Sequence, residues 1–251
     1  MIAVSVGTAV GINALLSRRL GEKNFEAANK VAENGIFVTV LSWAVFAVFG
    51  AACSGLFMGA FTQNAEILAG GTDYMWIVTV FSLGLFMSVT MERVLQVTGK
   101  TVYQMISQMT GAVVNIILDP VFIFGWLGLP AMGVAGAAWA TVLSQGVSGL
   151  LCLGYAWRRF PLLRMEKRHW TFDWSYAWKH LRLALPMAMQ FVITGTSVLV
   201  NQAVLNLFGS AAVAAFSAAS KIHMLSEQVA VSFGTAMATY AGQNYGAGKM
   251  D

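Results

Sequence analysis

Long apolar runs, separated by short connections that alternate between basic and neutral, constrain this chain more than any other feature. A helix needs about 20 mainly apolar residues to cross a bilayer. On this criterion we place spans at about 1–17, 34–62, 73–93, 102–126, 131–157, 182–208 and 211–241. With 57% hydrophobic and only 10% charged residues, a single water-soluble core of this length could not bury so much apolar surface. The pattern predicts an all-α membrane protein, a polytopic helical bundle.

The distribution of lysine and arginine predicts the orientation of the spans. Basic residues follow the first, third, fifth and seventh spans, whereas the other connections, FTQNAEILAGGTD, GWLGLP and LFGS, contain none. Lys221, inside the last span, is the exception. Because basic connections stay in the cytoplasm, we expect a multi-pass protein of the plasma (inner) membrane whose partner is the lipid bilayer. The net charge of +4 is explained by this topology and predicts no nucleic-acid partner.

The segment 158–181 is the only long polar stretch of the chain. Its tryptophan and tyrosine side chains are typical of an amphipathic helix that lies along the cytoplasmic leaflet. Recognition of anionic lipids is an alternative, but a plain linker between two bundles is the favoured interpretation.

Two similar segments, GTAVGINALLSRRLGEKN (7–24) and GTAMATYAGQNYGAGKMD (234–251), predict an internal repeat. Both end a span on the predicted cytoplasmic side, and an even number of spans separates them, which fits parallel repeats related by an axis along the membrane normal. Chance similarity between two helix ends is the alternative. On the repeat interpretation, 1–157 is an N-terminal bundle that lacks its first span, 158–181 is a cytoplasmic linker, and 182–251 supplies the first two spans of a C-terminal bundle. The partners would then include the missing spans of the full-length chain.

Asp119 is a carboxylate inside an apolar span, in the stretch NIILDPVFIFG. A charge at mid-bilayer is costly and usually marks an ion or substrate path. Asn115 lies one turn before Asp119 on the same helical face. Pro120 displaces the carbonyl of Ile116 from the helical ladder, which would leave a free backbone oxygen beside an amide oxygen and a carboxylate. Hard cations favour ligands of these kinds.

The next span offers further ligands at the same depth. A short turn joins the two spans, so they should run antiparallel; Asn115 then lies about 16 Å from the outer end of its helix and Thr141 about 15 Å from the start of its own. Ala137, one turn earlier, is level with Asp119. Small residues, namely Gly133, Gly136, Ala137 and Ala140, would let the backbones approach closely. We therefore predict a cation pocket from Asn115, Asp119, Thr141 and a carbonyl near Ala137. The alternative is that Asp119 caps a broken helix or donates a structural hydrogen bond while protonated.

Five motifs, GTAVGINALLSRRLGEKN, ERVLQVTGKT, NIILDPVFIFG, GVAGAAWAT and GQNYGAGK, resemble the multidrug and toxic compound extrusion (MATE) family of efflux transporters. The resemblance implies twelve spans in two six-helix bundles, of which this chain would contain about seven. It also implies a cation-coupled antiporter that exchanges Na⁺ or H⁺ for amphipathic, often cationic organic compounds, with no cofactor besides the coupling ion. The family's ligands on its fifth and sixth helices match Asn115, Asp119 and Thr141, but its first-helix acid has no counterpart here.

The remaining polar residues of the spans suggest where a small organic substrate would bind. Gln190, Asn201 and Glu227 are candidates for contact with it in a central cleft. Glu92 and Arg93 are expected to be anchors at the cytoplasmic boundary.

Three alternatives compete with the exporter. A flippase for lipid-linked oligosaccharides or another lipid would need a cleft rich in basic residues, and Lys221 is the only deep cation in the predicted spans. The second alternative is a non-functional truncated remnant of a transporter, which the missing spans favour. An enzyme is disfavoured, since the sequence contains neither HExxH nor GxSxG.

Overall fold

The computed structural model describes residues 1–62, 64–159 and 172–249, which form eight α-helices and a short 3₁₀ helix at Trp126–Gly128. In chain order the α-helices are α1 (Ile2–Gly21), α2 (Phe25–Gly59), α3 (Ala65–Val80), α4 (Leu83–Val97), α5 (Thr101–Phe124), α6 (Gly133–Arg159), α7 (Trp174–Asn206) and α8 (Ser210–Gly246). The predicted all-α fold is confirmed.

The apolar helices agree with most of the predicted spans. Within the described residues, α2, α5, α6 and α7 are each long and apolar enough to cross a membrane, with mean hydropathies of 2.2, 1.5, 1.3 and 1.7. Helices α3 and α4 meet the same criterion only as a bent pair. Helices α1 and α8 have 20 and 37 residues, which is sufficient length, but they are less apolar. Arg18 and Arg19 at the end of α1, and Lys221 and Glu227 within α8, account for the difference.

The third predicted span, 73–93, is not one straight helix. Helix α3 already begins at Ala65, because the side chain of Asn64 caps it by accepting hydrogen bonds from the next turn. The chain then breaks after Val80, and α4 continues at an angle of 45°. At the break, the indole Nε1 of Trp43 donates to the carbonyl of Val80 at 3.0 Å. A side chain of α2 thus satisfies a carbonyl that the interrupted helical ladder leaves free.

Helix α7 begins earlier than the predicted sixth span, at Trp174 rather than near residue 182. Asp173 caps it by accepting from the backbone N–H of Ser175 at 2.8 Å, and the backbone N–H of Asp173 donates to Asn34 of α2 at 2.9 Å. Residues 174–181, assigned to the predicted linker, are therefore the first turns of α7. Residues 160–171 lie outside the described part of the chain, so the amphipathic helix expected there stays a prediction.

The main apolar core lies where α1, α2, α4 and α6 meet. Its buried members include Ile12, Leu16, Val31, Ala32, Met91, Val94, Leu95, Cys152 and Ala156. A hydroxyl pair joins α2 to α4 inside this bundle, since Thr39 Oγ1 and Thr90 Oγ1 are 2.9 Å apart and both residues are buried. Helix α5 packs mainly on α6, at the edge of the bundle.

Helix α1 also packs along α7 and α8, so it links the first six helices to the last two. Its contact with α8 is closest at glycines. A methyl group on Gly21 would overlap the backbone of Gln243, and one on Gly246 would overlap the backbone of Arg18. The C-terminal ends of α1 and α8 therefore touch backbone to backbone. The division of the chain into two bundles stays a prediction.

Candidate functional site

Helices α5 and α6 each carry a polar stripe, and the two stripes face the same cavity. On α5 the stripe contains Gln108 and Asn115, and on α6 it contains Thr141, Ser144 and Ser148. Residues three, four and seven positions apart share one face of a helix. The same spacing continues to Asp119 on α5 and to Ala137 on α6.

Glycines let the two helices approach closely along these stripes. A methyl group on Gly111 of α5 would lie 3.1 Å from Ser148 Cβ of α6. Towards the other end, a methyl group on Gly136 would lie only 2.5 Å from the carbonyl oxygen of Phe122. The prediction that small residues bring these backbones together is thus fulfilled at Gly136.

The resulting polar cavity has a volume of about 290 Å³ and is bounded by α4, α5 and α6. Its lining is unusually polar for apolar helices: Ser88, Glu92, Gln108, Asn115, Thr141, Ser144, Gln145 and Ser148, together with Leu85, Val89, Gly111 and Ala112. One water occupies about 30 Å³, so the cavity has room for several waters or a partly hydrated ion.

The four residues of the predicted cation set form two hydrogen-bonded pairs. Asn115 Nδ2 lies 3.5 Å from Asp119 Oδ1, which is the long limit for a hydrogen bond. Thr141 Oγ1 donates to the carbonyl of Ala137 at 2.9 Å. Asn115 and Thr141 both line the polar cavity, whereas Asp119 and Ala137 are each held one turn away. The structure thus brings Asn115 and Thr141 together from two helices, and cation binding by this set stays a prediction.

Pro120 does not end α5, which continues to Phe124.

The described residues contain no cluster of three acidic, histidine or cysteine side chains. A cation here would therefore be held mainly by amide, hydroxyl and carbonyl oxygens with a single carboxylate, a set that suits a monovalent hard ion better than a transition metal.

Glu92 is a site residue that sequence reasoning assigned to another role. We expected an anchor at the membrane boundary, but Glu92 of α4 is only 7% exposed and lines the polar cavity. Its Oε1 accepts hydrogen bonds from Ser88 Oγ at 3.0 Å and from Gln108 Nε2. The spacing of Ser88 and Glu92, one helical turn apart, was the available signal; the approach of Gln108 from α5 was not visible in the sequence.

Arg93, the next residue, lines a different cavity. This second cavity has a volume of about 270 Å³ and lies among α1, α4, α7 and α8. Its lining residues are Val10, Asn13, Ala14, Arg93, Met187, Val231, Gly234, Thr235 and Ala238. Arg93 Nη1 donates to Gln96 Oε1 at 2.9 Å, while Lys221 is exposed. Arg93 is thus a second basic residue of the predicted spans whose side chain faces a cavity, and the depth of Lys221 in the membrane stays a prediction.

The predicted substrate residues are not brought together with either cavity. Gln190, Asn201 and Glu227 are all exposed on α7 and α8, and none lines the polar cavity or the second cavity. Glu227 Oε2 instead lies 4.0 Å from His223 Nε2, one turn away on the same helix. Their role in substrate contact stays a prediction.

Sequence comparison relates the chain to membrane transporters. The profile of the MatE family matches residues 1–121 and 186–251. The chain is 26% identical to the probable multidrug resistance protein YoeA of Bacillus subtilis, over 100% of this chain and 55% of that protein. It is 25% identical to a protein of Shewanella oneidensis named FAD transporter, over 98% of this chain and 55% of that one. The chain thus spans about half the length of the curated relatives it matches.

Structural comparison gives the same result. The fold superposes on the outward-facing conformation of a multidrug resistance MATE family transporter of the MOP superfamily with a TM-score of 0.85 and 25% identity. The match covers 99% of this chain and 55% of that one. The all-helical arrangement is therefore shared with this fold along nearly the whole of the present chain.

Proposed function

This chain belongs to the MatE family, and on that basis we propose that it is part of a cation-coupled antiporter that exports amphipathic organic compounds. Its family and its structural neighbours are transporters rather than enzymes. The proposal assigns Na⁺ or H⁺ as the coupling ion and no other cofactor. It places the protein in the cell membrane, with the basic connections in the cytoplasm.

The polar cavity is the observation that carries this proposal. Two helices that are each apolar enough to span a membrane, α5 and α6, turn three amides, a threonine hydroxyl and two serine hydroxyls towards one partly open cavity. Polar groups inside a bilayer are costly and are kept where they serve an ion or a substrate. Asn115 and Thr141 in this volume, with Asp119 hydrogen-bonded to Asn115, support a coupling-ion site there.

Exchange requires that the ion and the compound favour different conformations of one protein. The tight contact of the C-terminal ends of α1 and α8 supports a state that is closed on the predicted cytoplasmic side. The similarity to a transporter in an outward-facing conformation agrees with this interpretation. Ion binding in the polar cavity would shift the balance between this state and one that opens to the cytoplasm.

A second candidate is a transporter of anionic compounds or of a lipid with an anionic headgroup. Arg93 favours it, because this side chain lines the cavity among α1, α4, α7 and α8, where a carboxylate or phosphate could accept its hydrogen bonds. The relative named FAD transporter offers a precedent, since FAD carries phosphates. Competition between cationic and anionic amphipaths for export by the wild type and by Arg93→Gln separates the two candidates.

The test of coupling is Asp119→Asn in the full chain, reconstituted in liposomes. We expect the ratio of export with and without an imposed ion gradient to fall to about one, because an amide cannot neutralise the ion. The matched control is Asp73→Asn, which changes an exposed acid of α3. Separate Na⁺ and pH gradients identify the ion. Gradient-dependent export that survives in Asp119→Asn would contradict the proposed role of this site.

A further inference from the structure

Glu92 is a buried carboxylate inside the helical bundle. The guanidinium of Arg93, the next residue, attracts it electrostatically but forms no ion pair with it. No basic nitrogen of residues 1–62, 64–159 or 172–249 lies within 4.0 Å of it, although ion pairs occur at the helix ends. Removing an ionised carboxylate from water costs several kcal/mol unless a counter-charge compensates. Binding of a proton removes this cost, because it makes the carboxyl group neutral.

The hydrogen bonds of Glu92 join three helices. Ser88 on α4 and Gln108 on α5 donate to Oε1, and Ser88 Oγ lies 3.2 Å from Ser148 Oγ on α6. A carboxylate oxygen that accepts from a hydroxyl and an amide N–H is positioned but remains ionisable. A metal ion would need several oxygen ligands, whereas the Gln108 side chain presents N–H here. A proton needs only one carboxylate oxygen.

Among the described residues that line the polar cavity, Glu92 is the only one with an ionisable side chain. On α4, Arg93 lines the other cavity. On α5, Asp119 lies about 16 Å along the helix from Gln108. The other titratable groups on the packed helices whose side chains the structure describes are Arg18 and Arg19 on α1, Glu26, Lys30, Glu33 and Cys53 on α2, Tyr103 on α5, and Cys152, Tyr155 and Arg158 on α6. None of these lines the polar cavity.

We propose that Glu92 is a proton-binding carboxyl group at the α4 end of the polar cavity, separate from the predicted cation set around Asn115 and Thr141. A hydronium ion in the cavity transfers its proton to the carboxylate, which leaves a neutral carboxylic acid and a water molecule. Ser148, Ser144 and Thr141 follow one another along α6 between the two positions and can hydrogen-bond the intervening water. A coupling role for Glu92 depends on the proposed antiport function. Proton binding by Glu92 depends only on the geometry of the polar cavity.

The test is infrared difference spectroscopy of the purified full chain in lipid nanodiscs, stepped in pH, in the region of the protonated carboxyl stretch. The wild type is expected to show a band that appears on acidification. The band is expected to be lost in Glu92→Gln and kept in Asp119→Asn and in Glu66→Gln, which changes an exposed glutamate of α3. A wild type without such a band, or a band that persists in Glu92→Gln, overturns the proposal.

Two further variants keep the proposal testable if Glu92→Gln does not fold. Ser88→Ala and Gln108→Leu each remove one donor to Glu92 and leave the carboxylate in place, so each is expected to shift the frequency of the band. A frequency that is unchanged in both variants assigns the band to another group and overturns the proposal. A wild type that shows the Glu92 band but no ion-driven export contradicts the proposed function alone.

Discussion

Asn13 of α1 and Thr239 of α8, which are 226 residues apart in the sequence, hydrogen-bond to each other. The Asn13 amide Nδ2 donates to Thr239 Oγ1 at 3.2 Å, and Thr239 Oγ1 lies 3.3 Å from Asn13 Oδ1. In the predicted repeat, in which Gly7 corresponds to Gly234, Thr239 corresponds to Ile12, the neighbour of Asn13. If a two-fold axis along the membrane normal relates the two repeats and runs between α1 and α8, equivalent residues of these two helices lie opposite each other. The contact thus supports the repeat.

The Asn13–Thr239 pair predicts a measurable coupling between α1 and α8. Thr239→Val should lower the free energy of unfolding by about 1–3 kcal/mol, because it leaves the buried amide of Asn13 unsatisfied. Asn13→Leu should cost less, since the hydroxyl of Thr239 keeps its hydrogen bond to the carbonyl of Thr235. The double variant should lose less than the sum of the two, as judged by a double-mutant cycle in detergent. Thr235→Val is the matched control, since Thr235 donates only to Val231 of its own helix. Additive effects would show that the two side chains do not interact.

The glycine contact between α1 and α8 predicts a variant that opens the closed end. Gly246→Leu should separate the helices, because even a methyl group there overlaps Arg18. We expect maleimide labelling of a Ser17→Cys reporter, at a position that is 0% exposed, to rise at least about fivefold from the predicted cytoplasmic side, the lower end of typical conformational coupling. Gly195→Leu is the control, since an added methyl group at Gly195 meets no atom within 4 Å. Equal labelling in the two backgrounds would argue against a gate at this contact.

The close approach of α5 to α6 predicts a second steric variant. Gly136→Val should force the helices apart beside Ala137 and cost about 1–3 kcal/mol of unfolding free energy. It should also weaken the stabilisation that the coupling ion gives, measured as the shift in melting temperature with ion concentration. Gly154→Val, in the same helix with no atom near the added group, should keep that shift. A normal ion response in Gly136→Val would place the ion elsewhere.

The hydrogen bond between Asn34 of α2 and the backbone of Asp173 fixes the start of α7 to α2, and it predicts the effect of removing this side chain. Its side chain is 2% exposed, donates to the carbonyl of Lys30 and accepts from the backbone N–H of Asp173, both at 2.9 Å. Asn34→Leu should therefore lower the free energy of unfolding by about 1–3 kcal/mol and increase proteolysis before Trp174. Asn206→Leu changes an exposed asparagine at the other end of α7 and should do neither. Similar losses in both variants would contradict a specific role for Asn34.

The sequence predicted the features that depend on composition and helical spacing. The apolar spans, the position of Asn115 and Thr141 in the lining of one cavity and the small residues beside Gly136 all follow from the period of a helix. The break after Val80 was not predicted, since the Trp43 side chain that satisfies the freed carbonyl there lies on another helix. The environment of Glu92 was missed for the same reason, because Gln108 and Ser148 reach it only after three helices have packed. Contacts between distant residues leave no periodic signal in one sequence.

Glu92 and Arg93, which are adjacent on α4, face two different cavities. Consecutive residues on a helix point about 100° apart, so one helix presents an acid to the polar cavity and a base to the cavity beside α1 and α8. Any turn of α4 about its own axis displaces both side chains together. In the proposed antiporter, an ion beside Glu92 and a compound beside Arg93 would therefore both influence the orientation of α4 without touching each other.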